Sequence, residues 1–344
     1  MSGGEANGGA ALAASPAAAP ASITVTGLTK RYGDIEAVRG IDFEVAAGEV
    51  FGFLGPNGAG KSTTISMLCT LVAPTSGTAI VAGHDVDRER DAVRRNIGLV
   101  FQDTTLDNYL SAEQNLRLHA ELYGVPRELI RPRMRQVLEM VGLWDRRSGA
   151  VATFSGGMKR RLEIARGLMH SPRVLFLDEP TVGLDPQTRS SIWSYIRELK
   201  EAEDVTIFMT THYMDEAEFC ERIAIMDKGV IVVLDTPDAL KASIGTDRVT
   251  LQTDDDEAAI AAIAERFGIE ARRSEGAVSF GVAAGEHFVP RLFAELGVPI
   301  RSVSVARPSL DDVFMSYTGS TIRDAEASAA EQRRAATVAF RRGR

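Results

Sequence analysis

The sequence predicts an α/β core built around a phosphate-binding loop, followed by a small α+β domain. Three features carry that prediction. The stretch Gly55-Pro56-Asn57-Gly58-Ala59-Gly60-Lys61-Ser62-Thr63 fits G-x-x-x-x-G-K-[ST], with an apolar run (Glu49 to Leu54) before it and a helical pattern (Thr64 to Leu68) after it. The run Val174-Leu175-Phe176-Leu177 is continuously apolar, as a parallel strand covered on both faces should be, and it ends in Asp178-Glu179. Beyond residue 247 the order strand, helix, strand, strand, helix, strand matches a ferredoxin-like arrangement.

A chain of 344 residues has room for two domains, and 44% apolar with 25% charged residues is a globular composition. The net charge of −8 argues against bulk electrostatic binding, so no nucleic-acid partner is expected. Cys69 and Cys220 fit no metal spacing and read as small core residues suited to a reducing compartment. No run has the length and apolarity of a membrane span, so any membrane work needs another chain to supply the spans. The Ala/Gly/Ser/Pro-rich leader (1–21) lacks a basic n-region and is expected to be disordered inside the cell. The Ala/Arg-rich tail (319–344) is also expected to be disordered.

In chain order, Ile23-Thr24-Val25 opens the ordered part, and Lys30-Arg31-Tyr32-Gly33 reads as a turn. Ile41 to Val45 alternates as a half-buried strand does, and Ala79 to Val81 and Ile97 to Phe101 are further strands. Ser111-Ala112-Glu113-Gln114 has capping-box form, and a second helix spans Glu128 to Val141 with Arg131, Arg133 and Arg135 on a solvated face. A helix starting at Ser155 carries Leu162, Ala165, Leu168 and Met169 on one side. After Asp178-Glu179 come a helix (Pro186 to Lys200) and a strand (Val205 to Met209) that runs into Thr210-Thr211-His212. The expected division is an ATP-binding unit over 22–243, with a helical lobe over 103–165, and an accessory domain over 247–318. Pro308-Ser309-Leu310-Asp311-Asp312-Val313-Phe314 caps and starts a last helix.

The chemistry follows from strand ends and helix starts. Backbone N–H groups of the glycine loop turn toward one anion, Lys61 reaches outer phosphates, and the Ser62 hydroxyl suits Mg²⁺. Asp178 is placed to hold that cation through water, while Glu179 points differently and can polarise an attacking water. Gln102 and His212 end further strands and can reach the metal or water and the γ-phosphate, respectively. Ser155-Gly156-Gly157 is a second anion nest at a helix start, which implies that another subunit's ATP is meant to reach it.

Phosphate loop, Gln102, FSGGM (154–158), VLFLDEP (174–180), GLDP (183–186) and His212 occur in the order of ABC-transporter ATP-binding subunits, which residues 23 to 240 resemble. The resemblance implies a P-loop NTPase core with an antiparallel β subdomain and a helical lobe. It implies ATP and Mg²⁺ held by Gly55, Asn57, Gly58, Gly60, Lys61, Ser62, Thr63 and Gln102, with the metal at Ser62, Gln102 and Asp178. Tyr32 matches the aromatic that stacks on adenine, and Asp185 the loop that links two sites across a dimer. Glu179, His212, Gln102 and Lys61 match the catalytic set, with Ser155, Gly156 and Gly157 contacting the partner's nucleotide. Phe154 and Met158 depart from the commoner LSGGQ signature, which puts one side-chain bond near the nucleotide sugar in doubt. That signature form and the C-terminal extension resemble the daunorubicin-resistance group, which implies work at the cytoplasmic face of the membrane. Since every catalytic position is filled in this one chain, a homodimer with two competent sites is expected. A separate ABC-2 type permease would complete a drug or lipid exporter. An ABC importer and a soluble ABC ATPase of translation or DNA repair are the alternatives. A small-molecule kinase gives no reason for the second nest.

Overall fold

The computed structural model describes residues 21–274 and 277–319. The expected leader lies outside these residues except for Ala21, and the expected tail lies outside except for Gly319. A hairpin of β1 (Ala21–Tyr32) and β2 (Ile35–Ala46) precedes β3 (Val50–Leu54) and α1 (Lys61–Leu68). Next come β4 (Ser76–Val81), β5 (His84–Asp85), α2 (Arg90–Asn96) and β6 (Ile97–Val100). Helices α3 (Ala112–Leu122), α4 (Arg127–Met140) and α5 (Gly156–Gly167) fill the connection to β7 (Val174–Asp178). Then follow α6 (Pro186–Ala202), β8 (Thr206–Thr211), α7 (Met214–Ala217), β9 (Arg222–Asp227), β10 (Val230–Asp235) and α8 (Pro237–Ile244). The last part comprises β11 (Asp247–Thr253), α9 (Asp256–Phe267), β12 (Arg272–Ser274), β13 (Ala277–Val282), α10 (Gly285–Glu295), β14 (Ile300–Ala306) and α11 (Leu310–Thr318).

The central sheet has the order β10-β9-β3-β8-β7-β6, parallel throughout except for the β9–β10 hairpin. All of β3 and β8 is buried, as are the four apolar residues of β7, so these strands are covered on both faces. Their pairing sets Leu54 beside Thr211 and Asp178 beside Thr210, which brings three carboxyl ends to one edge. An antiparallel sheet of order β2-β1-β4-β5 covers one face. Phe43 of that sheet stacks on Phe51 (ring centroids 5.7 Å apart) and meets Phe53 edge-on, locking the two layers together. The helices α3, α4 and α5 bury Leu116, Val137, Leu138 and Leu162 against the opposite side.

The terminal sheet, β12-β13-β11-β14, is antiparallel in the ferredoxin-like order and has its own core around Leu251, Ile263, Phe280 and Leu292. α11 leaves that core. After a capping box between Ser309 and Asp312, it buries Leu310, Val313 and Phe314 in the cluster that contains Leu240 of α8 and Ile223 of β9.

Three readings of the sequence need correction. Lys30, Arg31 and Tyr32 form the end of β1, pairing with Val38, Glu36 and Ile35, and the turn falls at Gly33-Asp34. Arg133 does not sit on a solvated face. Its side chain is 12% exposed, pairs with Glu203 at 2.6 Å and donates to Leu168 O, pinning α4 to the ends of α5 and α6. The segment after His212 holds β9, β10 and α8, which the reading left unassigned, although Thr236-Pro237 is a cap followed by a first-turn proline.

Candidate active site

The loop between β3 and α1 is shaped by glycines that no other residue could replace without displacement. Gly60 has φ +111°, and a Cβ there would lie 2.6 Å from Ala37 O. A Cβ on Gly55 would lie 2.2 Å from Met226 O of β9. α1 therefore starts at a fixed point over the strand ends. No side chain caps it, whereas Ser111, Ser155, Asp185, Thr236, Asp255 and Ser309 cap the helices they precede. An uncapped first turn leaves N–H donors for an external anion.

A cavity of about 540 Å³ opens over this turn, lined by Tyr32, Ala37, Asn57, Gly58, Gly60, Lys61, Ser62, Thr63, Gln102 and Glu179. The volume lies in the range of small-ligand sites. The Lys61 ammonium donates to Gly55 O (2.6 Å) and Pro56 O (3.2 Å) and faces Glu179 Oε1 at 3.3 Å. Ser62 Oγ donates to Asp178 Oδ1 at 3.1 Å. Hydroxyl and carboxylate together present hard oxygen donors beside an anion cradle, the set Mg²⁺ takes when phosphates and water complete its shell. Burial pushes the Asp178 carboxyl up, against hydrogen bonds from Thr210 and Ser62 that favour its charged form.

Glu179 departs from Asp178 through backbone geometry. Its φ of +46° is left-handed, a conformation that costs a non-glycine residue about 1–2 kcal/mol. That turn aims its carboxylate at Lys61 and, at 3.5 Å, at His212 Nδ1. His212 Nδ1 sits at the long end of hydrogen-bonding distance from this carboxylate. Burial resists ionisation of Glu179, but His212 and Lys61 outweigh it and hold the carboxyl below its usual range. The cavity and its immediate neighbours thus gather Tyr32, the loop residues, Gln102, Asp178, Glu179 and His212.

Ser155, Gly156, Gly157 and Asp185 do not line the cavity. They form a separate corner in which Ser155, Gly156 and Asp185 are exposed and Gly157 is buried. Ser155 caps α5 through Met158 N, and Asp185 caps α6 through Thr188 N (3.0 Å) and the Thr188 hydroxyl (2.6 Å). A Cβ on Gly157 would lie 2.4 Å from Thr188 Cγ2, so the two helix starts are in contact. Phe154 is buried and Met158 packs against the core, so the two departures from LSGGQ are filled by apolar side chains.

Two residues of the site escaped the sequence reading. Thr210 donates to Asp178 Oδ1 and accepts from Glu179 N, fixing both acids. Arg160 is buried and donates to carbonyls at the ends of β6 and β7. Neither has a local motif; the signal was a charged residue one turn from a buried stripe.

Comparison with known proteins agrees with this geometry. Residues 38–182 match the family described as ABC transporter, and residues 236–318 match the C-terminal domain described as ATP-binding protein DrrA1-3-like. The daunorubicin resistance ATP-binding protein DrrA3 of Streptomyces coeruleorubidus is 40% identical over 90% of this chain and 100% of its own. The linearmycin resistance ATP-binding protein LnrL of Bacillus subtilis is 39% identical over 86% of this chain and 98% of its own. Among solved structures, a dimeric ATP-binding cassette in a post-hydrolysis state with ADP and Pi is similar, with a TM-score of 0.56 and 28% identity. That likeness covers 62% of this chain and 98% of the other. The chain belongs to the ABC transporter family, as an ATP-binding and ATP-hydrolysing subunit.

Proposed function

We propose that this subunit powers export of a drug-like or lipid compound through a separate permease of the ABC-2 type, at the cytoplasmic face of the membrane. The names of the resistance relatives and the matched C-terminal domain support that direction of transport. Among the described residues no helix is long and apolar enough to cross a membrane, which suits a permease supplied by another chain. We further propose a division into an ATPase unit (22–243), with its helical lobe (103–165) against the permease, and an accessory domain (247–318).

One observation carries the mechanism. The phosphate loop and Glu179 share a cavity, with Asp178 hydrogen-bonded to the Ser62 that lines it, while Ser155 and Gly156 of the Ser155–Gly157 turn stand exposed outside it. Two copies would each offer that turn to the other's cavity, sandwiching two ATP molecules in a homodimer. Tyr32 stacks on the adenine, a contact of about 1–3 kcal/mol. The α1 N-terminus and Lys61 would hold the outer phosphates, and Ser62, Asp178 and Gln102 would hold Mg²⁺. The metal supplies charge neutralisation on phosphate oxygens. Glu179 accepts the proton of the water whose oxygen bonds the γ-phosphorus as the bond to the β,γ-bridging oxygen breaks and ADP leaves. His212 steadies Glu179 and the transferred phosphoryl oxygens. In the monomer Lys61 spends its charge on Glu179 and loop carbonyls, so ATP entry draws it outward and frees the base.

The test is Glu179→Gln. Turnover should fall about 10²–10⁴-fold, and an ATP-bound dimer should persist on size-exclusion chromatography. Normal turnover would remove Glu179 from the mechanism. Export is tested by co-purifying the full chain from solubilised membranes and finding the permease whose substrates stimulate hydrolysis.

A further inference from the structure

Arg160 lies on α5, in the second turn after the Ser155–Gly157 corner, and is only 6% exposed. Its guanidinium donates to four main-chain carbonyls. Nε reaches Pro180 O at 2.5 Å, Nη2 reaches Asp178 O and Glu179 O at 3.2 Å each, and Nη1 reaches Phe101 O. Nη1 also faces Glu163 Oε2 at 3.3 Å. Glu163 is 1% exposed, and its other oxygen accepts Thr105 N at 2.8 Å.

The acceptors are specific. Asp178, Glu179 and Pro180 are consecutive, and fixing their carbonyls fixes the left-handed turn that aims the Glu179 carboxylate. Phe101 and Thr105 flank the Gln102 segment, so the same Arg–Glu pair holds both sides of it. Burying a guanidinium and a carboxylate is costly unless every donor is satisfied, and an apolar pair would pack α5 as well. A planar fork with five donors transmits a small movement of its helix to all these carbonyls at once, which a flexible ammonium cannot do.

We propose that Arg160 is a positioning residue that joins the Ser155–Gly157 corner to the chain's own Glu179 and Gln102. Engagement of that corner with the partner's nucleotide then sets the geometry of the base in this copy. The inference rests on the two-site dimer proposed above. It makes α5 the link by which one nucleotide site reads the occupancy of the other.

The experiment uses the full chain with ATP, comparing wild type, Arg160→Lys and Glu163→Gln. Wild type should hydrolyse ATP with a Hill coefficient above one. Arg160→Lys should bind a fluorescent ATP analogue within about twofold of wild type, because the cavity lining is intact. Its kcat should fall about tenfold to a hundredfold, the cost of a misplaced reacting group, and its Hill coefficient should drop to near one. Glu163→Gln keeps the carbonyl contacts and should show a smaller loss in the same direction; it carries the test alone should Arg160→Lys fail to fold. A wild-type coefficient of one, or variants with unchanged kcat and cooperativity, overturns the coupling. Glu179→Gln separates the two ideas: if ATP does not dimerise it, the dimer reading has failed. If it dimerises while Arg160→Lys behaves as wild type, only the coupling has failed.

Discussion

Thr210 Oγ1 donates to Asp178 Oδ1 at 2.6 Å while accepting the N–H of Glu179 at 3.0 Å, so one buried hydroxyl orients both acids of the site. Thr210→Val keeps the shape and removes both bonds. It leaves Asp178 with Ser62 and Glu179 N without its acceptor, at a cost of about 1–3 kcal/mol. Urea unfolding should show that loss. The Mg²⁺ concentration giving half-maximal hydrolysis should rise about tenfold, the usual effect of disturbing a group behind a metal ligand. An unchanged Mg²⁺ requirement would remove Thr210 from the metal site.

Lys61→Met should make stability depend on pH in a predictable sense. In wild type the folded pKa of Glu179 lies below its unfolded value. Its contribution is therefore complete above the ordinary glutamate range and lost as pH falls through the folded value. Without the ammonium only His212 opposes burial, so the Glu179 pKa rises and the variant loses less stability than wild type as that carboxyl takes a proton. The wild-type advantage, up to about 3 kcal/mol near pH 7, should thus narrow as pH falls toward about 4. Thermal melts across that range decide it; a constant gap would mean that Lys61 contributes no charge interaction.

Arg133→Ala should destabilise the protein by about 1–3 kcal/mol, since it removes the cationic partner of Glu203 and the tie to the Leu168 carbonyl, leaving them only Gln136 and Ser171 N. Arg131→Ala, on the exposed face of the same helix, should cost less than about 0.5 kcal/mol. Equal effects in urea unfolding would show that the Arg133–Glu203 pair is not a tie between α4 and α6.

Gly157→Ala places a methyl where Thr188 Cγ2 already stands, 2.4 Å away, and must push the α5 and α6 starts apart. In a Glu179→Gln background the ATP-bound dimer should be lost. Thr188→Ser removes the clashing methyl but keeps the hydroxyl that Asp185 accepts, so the double variant should dimerise again. Failure of Thr188→Ser to restore the dimer would place the cause elsewhere than in this contact.

Much of this was legible in the sequence because it is local. The phosphate loop is a continuous run, the capping boxes at Ser111 and Ser309 are spacing patterns, and Val174–Leu177 announces a doubly covered strand. Partnerships across the chain were not legible. Arg131 and Arg133 flank the same Pro132, and only the approach of α6 separates a tied residue from a solvated one. Arg160 likewise acquires its meaning from carbonyls 18 to 59 positions away. The turn expected at Lys30–Gly33 keeps only Gly33, because the pairing of β1 with β2 extends the strand to Tyr32.

α11 lies beyond the accessory sheet in sequence, yet Phe314 is buried with residues of the first sheet and α8. During synthesis, a nascent chain that has already closed its phosphate loop still lacks this plug against α8. A ribosome that has made the whole nucleotide-binding part therefore carries an unsealed core until residue 314 emerges. Chaperone occupancy on stalled nascent chains should end there, not at the close of the first domain.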